Sequence, residues 1–172
     1  MAAKTLHKVL HGKCERVNNE IPARYFQFDI CNDVTAHVPD HDWFLASIRS
    51  RMRDGAHLTG WIPNVGYFDN LHKLIVGRDC QYRDVAILGR AHLRFFTQRS
   101  PERTLLGVGF AIQRIRGINP AQGLVQCIAI GALVCATLGG HRNIRFLQFG
   151  FRASSLQREC SSQHELRRAS ST

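Results

Sequence analysis

Between Ile118 and Gly140 the sequence carries no formal charge, and from Leu124 to Leu138 it is almost wholly apolar. Any fold must find a dry surface for this segment. As an α-helix, the fifteen residues from Leu124 to Leu138 span roughly 22 Å, short of the ~30 Å hydrocarbon core of a bilayer. The first third of the uncharged segment also holds Asn119, Pro120, Gln122 and Gln126. The expectation is a buried core helix rather than a membrane span. Asn119, Pro120 and Gln122 fall at the N-cap, first and third helical positions, and Gly139-Gly140 supplies a stop signal, which predicts a helix over 120–138. Cys127 and Cys135, eight residues apart on that helix, are expected to be buried.

The remaining elements are read from periodicity and punctuation. Ala23 to Ile30 (ARYFQFDI) has the aromatic and β-branched content of a strand, with Val34 to Val38 as an extension past a turn at Asn32-Asp33. Asp40 precedes a helix in which Phe44, Leu45, Ile48 and Met52 recur at helical spacing, ending at Gly55. Gly60 to Gly66 reads as a turn-rich connection, and Tyr67 to Val76 as a helix, a strand, or both in turn. From Asp84, DVAILGRAHLRFF reads as a strand, SPER as a turn and TLLGVGFAIQRIR as a second strand, making a long hairpin over 84–116. A strand over 143–151 follows the helix. The fold class expected is α/β (α+β): one domain over 1–172 with a mixed central sheet, a flexible arm over 1–21 and a disordered tail from about 161 to 172.

The charge balance bears on partners. The chain has 23 Lys+Arg against 13 Asp+Glu, a net charge of +10, and only four of the bases are lysine. An anionic partner is therefore expected, either a phosphorylated cofactor or a nucleic acid, since guanidinium groups grip such groups bidentately. The six cysteines form no CxxC pair, which suits reduced thiols in a cytoplasmic setting.

The leading site candidate lies where the strand 104–116 hands over to the helix. Arg114, Arg116, Gly117, Ile118, Asn119 and Ala121 would place two guanidinium groups, a flexible turn and the unpaired amides of a helix N-terminus together, an anion site by construction. The bland alternative is a pair of solvated arginines beside a turn. Arg114-x-x-Gly117-x-Asn119, between a strand and a long helix, resembles the pyrophosphate loop of the GNAT superfamily of acyl-CoA-dependent N-acetyltransferases. That resemblance covers Asp84 to about Cys160. It implies acetyl-CoA or another acyl-CoA as cofactor, with these residues cradling its pyrophosphate, and it names no general base.

The rival expectation is a non-enzymatic nucleic-acid-binding or regulatory protein, whose basic hairpin face would carry Arg90, Arg94, Arg99, Arg103, Arg114 and Arg116. A second constellation, His7, His11, Cys14, Cys31, His37 and His41, includes zinc-type donors, but its spacings lack the close cysteine pairs of zinc modules, so no metal is expected. Asp40-His41-Asp42 reads as a helix cap beside a surface histidine. No GxSxG, HExxH or Walker-type loop occurs, and hydrolase and nucleoside-triphosphatase readings gain nothing.

Overall fold

The computed structural model describes residues 8–80, 87, 89 and 92–156. They form a single-domain α/β structure built on a mixed four-stranded open sheet, the class expected. Its elements are α1 (Cys14–Val17), β1 (Phe26–Asn32), α2 (His41–Arg51), β2 (Met52–Pro63), α3 (Phe68–Ile75), α4 (Ser100–Gly107), β3 (Phe110–Pro120), α5 (Leu124–Ala136) and β4 (Phe146–Ser155). The strand order is β1-β2-β4-β3. β1 and β2 run parallel, joined by α2, while β4 is antiparallel to both β2 and β3.

Alternation along the central strand builds the core. In β2, Ala56, Leu58 and Ile62 turn to one face, where Cys31 of β1, Phe149, Phe151 and Ala153 of β4 and Phe110 of β3 join them under Phe44 and Leu45 of α2 and Leu105 of α4. Gly60 shares that face because the two parallel strands approach closely: a Cβ there would collide with the Cys31 carbonyl. Asp40 caps α2 as expected, its carboxylate accepting from the Trp43 amide at 2.9 Å. Buried Arg49 of α2 pairs with Asp54 at 3.1 Å and donates to the carbonyls of Gly109 and Leu156, tying the start of β3 and the end of β4 to the helix.

Several expected elements change. The helix ending at Gly55 stops at Arg51, and what read as its end and a turn-rich connection is the 12-residue β2. Ser100–Arg103 opens α4, with Pro101 in the first turn and Leu105 buried at helical spacing, so the hairpin over 84–116 is not formed. Part of its first strand lies outside the described residues; of the rest, Phe96 makes only an isolated bridge with Asn64. The partner of β3 is β4, and the expected strand 143–151 appears as Phe146–Ser155.

The largest correction concerns the segment 118–140. β3 continues through Pro120, paired with Phe146, so Asn119 is strand with a left-handed backbone (φ 52°) and no cap. The helix starts at Leu124 behind Gly123 and is not a core helix: Ile130 is buried, whereas Leu124, Val125 and Ile128 are 76, 80 and 63% exposed. Cys127 and Cys135 are exposed as well. No helix among the described residues is long and apolar enough to cross a membrane. In the expected arm, Cys14 packs against the core cluster, and the expected tail lies outside the described residues.

Candidate functional site

In open α/β sheets, ligands collect outside the carboxyl ends of the parallel strands, where loops leave the sheet together. Here that edge is formed by the turns after β1 and β2. β1 ends at Asn32, and Asp33 follows in the left-handed region (φ 59°), a conformation Asp tolerates better than most residues. A 3₁₀ turn, Val34–Ala36, then points the chain toward α2. β2 ends at Pro63, and the buried Asn64 side chain locks the next turn: its amide donates to the carbonyls of Asn143 and Phe146, and its oxygen accepts from the Gly66 amide.

A segment remote in sequence completes the edge. Residues 92–96 lie against both turns, with Leu93 N donating to Ala36 O at 2.7 Å and Val65 N to Phe96 O at 2.9 Å. Arg94 donates to Pro39 O at 3.1 Å. This brings His92 onto the loop after β1. Its Nε2 lies 3.7 Å from Asp33 Oδ2, the His37 Nε2 lies 3.8 Å from the same oxygen, and the two imidazole rings are 4.5 Å apart. The donor atoms of Asp33, His37 and His92 all lie within 4.8 Å of one another.

The environment of this triad is polar and partly closed. His92 Nδ1 faces the Ile87 carbonyl at 2.8 Å; a carbonyl only accepts, so Nδ1 carries a proton and Nε2 is the ring nitrogen turned to the cluster. Asp33 Oδ1 and Thr35 Oγ1 are buried without a hydrogen-bond partner among the described residues. A buried polar atom in that condition costs on the order of 1–3 kcal/mol, which a ligand supplying the missing partner would recover.

The residues singled out from sequence are dispersed. Arg114 and Arg116 project from the middle of β3 on the sheet face opposite the core, paired with Arg152 and Gly150. Gly117 faces the Phe146 ring, Ile118 pairs with Gln148, and the Asn119 amide donates to the Gln148 side chain at 2.8 Å. The Ala121 amide is taken by Arg145 O at 2.8 Å. Because the strand runs on to Pro120, no bare helix N-terminus forms at 117–121. Ala121 instead lines a cleft of about 370 Å³ with Cys127, Ile130 and Arg142.

The basic hairpin face does not assemble either: Arg94, Arg99 and Arg103 are exposed on a loop and a helix, and Arg90 lies outside the described residues. Of the histidine and cysteine constellation, only His37 joins the cluster. Cys31 is buried on β1 with its thiol 3.6 Å from Asp29 Oδ1, and burial first, then the Asp29 charge, push it far above the ordinary thiol range, so it stays a thiol. His41 turns into α2, with Nε2 3.5 Å from Asp42. His7 lies outside the described residues. Asp33 and His92 were missed as partners because 59 positions of sequence separate them, Asp33 reading as a turn residue and His92 as part of an expected strand.

Comparison with solved structures places the architecture. The fold is similar to that of solved SAM-dependent methyltransferases. A SAM-dependent methyltransferase from Archaeoglobus fulgidus superposes with a TM-score of 0.52 at 10% identity, over 85% of this chain and 66% of that one. A chain from the complex of the Haloferax volcanii Trm112 methyltransferase activator with a methyltransferase gives 0.51 at 8% identity, over 80 and 57%. A SAM-dependent methyltransferase from Thermotoga maritima gives 0.50 at 10% identity, over 78 and 58%. The chain thus spans less than two thirds of the length of each. No family model matches the sequence, and no curated protein matches it. These neighbours overturn the N-acetyltransferase resemblance, and with it the acyl-CoA cofactor and the acyltransferase reading; they lend nothing to the nucleic-acid alternative.

Proposed function

We propose that this chain forms part of a SAM-dependent methyl-transfer protein. The observation that carries the reading is the position of the Asp33–His37–His92 cluster, at the carboxyl end of β1 in a fold similar to that of SAM-dependent methyltransferases. Fold likeness alone says nothing of chemistry, so the weight rests on what these side chains can do.

The chain's own groups fit one end of such a donor. S-adenosylmethionine supplies an electrophilic methyl group on a sulfonium sulfur, together with ribose hydroxyls and an ammonium group. Asp33 Oδ1 and Thr35 Oγ1, both without a partner among the described residues, are the atoms that would receive such hydroxyl or ammonium donors. Asn64 holds the neighbouring turn in place through its three hydrogen bonds, so the rim is pre-shaped. On the acceptor side, His92 Nε2 and the Asp33 carboxylate converge on a point where a hydroxyl, amine or thiol can be held and its proton accepted.

β1 is the edge strand on this side of the sheet among the described residues. Phe28 and Ile30 stand 52 and 60% exposed on its face away from the core. That surface suits further packing, in keeping with a chain shorter than its structural neighbours.

Ligand-dependent melting tests the reading. S-adenosylhomocysteine at 100 times its dissociation constant should add about 2.7 kcal/mol of stability. Thr35→Val, which keeps the shape and removes the hydroxyl, should weaken that effect. Absence of any shift with S-adenosylhomocysteine and S-adenosylmethionine at millimolar concentration would overturn the proposal for this chain.

A further inference from the structure

The cluster at the end of β1 has the composition of a metal site as well as that of an acid–base pair. The geometry points to a divalent transition-metal site, Zn²⁺ in the first instance, held by the Nε2 atoms of His37 and His92 and by Oδ2 of Asp33. This goes beyond the methyl-transfer reading and does not depend on it.

Three features carry the inference. The first is convergence: all three donor atoms lie within 4.8 Å of one another, with the carboxylate oxygen 3.7 and 3.8 Å from the two ring nitrogens. Ligands about 2.0–2.2 Å from a tetrahedral ion stand roughly 3.3–3.6 Å apart, so the two measured separations close by a few tenths of an ångström on binding. The second is the support behind His92. Its Nδ1–H is spent on the Ile87 carbonyl at 2.8 Å, the outer hydrogen bond that fixes tautomer and ring orientation in metal-ligating histidines. The third is the state of Asp33. A carboxylate ligating through Oδ2 leaves Oδ1 for a second partner, and Oδ1 is buried with none among the described residues.

The donor set also selects the ion. Two imidazoles and one carboxylate favour zinc, nickel, copper or iron over magnesium and calcium, which prefer oxygen throughout. Three protein ligands leave a coordination position for water or for an acceptor atom, the arrangement of reactive rather than purely structural zinc sites. In the methyl-transfer reading, a cation there would hold the acceptor heteroatom directly and lower the pKa of its proton, replacing proton acceptance by a bare imidazole.

Titration of the metal-free chain with Zn²⁺ against a chromophoric chelator, and with Co²⁺ followed by its visible absorption, tests the assignment without any methyl donor. One equivalent should bind, with a rise in melting temperature. His92→Ala and His37→Ala should each weaken binding at least about 100-fold. Asp33→Asn, which also tolerates the left-handed backbone, should weaken it while leaving the metal-free melting temperature close to that of the parent. His41→Ala, outside the cluster, should bind as the parent does.

Failure of the parent to bind Zn²⁺ or Co²⁺ at micromolar concentration would overturn the site. So would equal loss in His41→Ala and His92→Ala, which would mark scattered surface binding. The metal titrations are run without S-adenosylhomocysteine and the melting experiment without metal, so absence of metal binding with a retained S-adenosylhomocysteine shift would refute the metal site alone, and metal binding with no such shift would refute methyl transfer alone.

Discussion

The two faces of the sheet are made by alternate residues of the same four strands, and they are finished in opposite ways. Toward α2 and α4 the strands present Cys31, Leu58, Ile62, Phe110, Phe149, Phe151 and Ala153, all buried. Toward the other side they present Phe28 and Ile30 of β1, His57, Thr59 and Trp61 of β2, then Arg114 and Arg116 of β3 and Arg152 of β4. None of this second set is buried. The contrast teaches that the +10 charge is not arranged around one anion pocket: three of its arginines stand on the open face, apart from the carboxyl-end cluster.

The contrast can be broken hardest at Gly60. Valine there would drive a side chain into the Cys31 carbonyl, and neither backbone can yield without opening the β1–β2 ladder, so Gly60→Val should cost more than about 4 kcal/mol or prevent folding. A native-like denaturation midpoint for that variant would show the two strands to be further apart. Next is Phe149→Ala, a truncation of a ring that is 1% exposed, which should cost about 3–5 kcal/mol in chemical denaturation.

A polar version of the same test is Arg49→Ala. It removes the pairing with Asp54 and strips a donor from the Gly109 and Leu156 carbonyls, for an expected loss of about 2–3 kcal/mol. Arg49→Lys should recover only part, since one ammonium cannot reproduce the guanidinium fork. The smallest effect belongs to the open face. Ile30→Thr keeps the β-branched shape and should change stability by no more than about 0.5 kcal/mol. A loss of 2 kcal/mol or more would show that something covers β1.

Thiol labelling draws the comparison in time rather than energy. Cys127 and Cys135 on α5 should be alkylated rapidly in native protein, and Cys31, buried and held as a thiol, only on unfolding. Fast labelling of Cys31 would place β1 outside the packed sheet.

Much of what the sequence reading found is local. The strand at Phe26–Ile30, the Asp40-capped helix and the strand ending the apolar third of the chain follow from short-range pattern. β2 was legible too: Ala56, Leu58, Gly60 and Ile62 alternate with His57, Thr59 and Trp61. The glycine and proline within it gave a turn signal instead, though Gly60 is there for close strand approach and Pro63 merely ends the strand. At Asn119-Pro120 the capping pattern was equally clear, yet pairing of β3 with β4 through Pro120↔Phe146 overrode it, because ladder hydrogen bonds outweigh a cap.

By itself, the sequence determined the class of the fold, Phe44 and Leu45 as buried residues of α2 (though not Arg49, which the apolar spacing put on the opposite face) and the excess of arginine, since each depends on neighbours a few residues apart or on composition. Only the tertiary structure decided that Asp33, His37 and His92 share one point, that Arg114 and Arg116 stand in mid-strand, and that α5 is exposed. Those facts depend on which strand lies beside which. Strand order is set by the summed burial of residues far apart in the chain, and no short-range pattern records it.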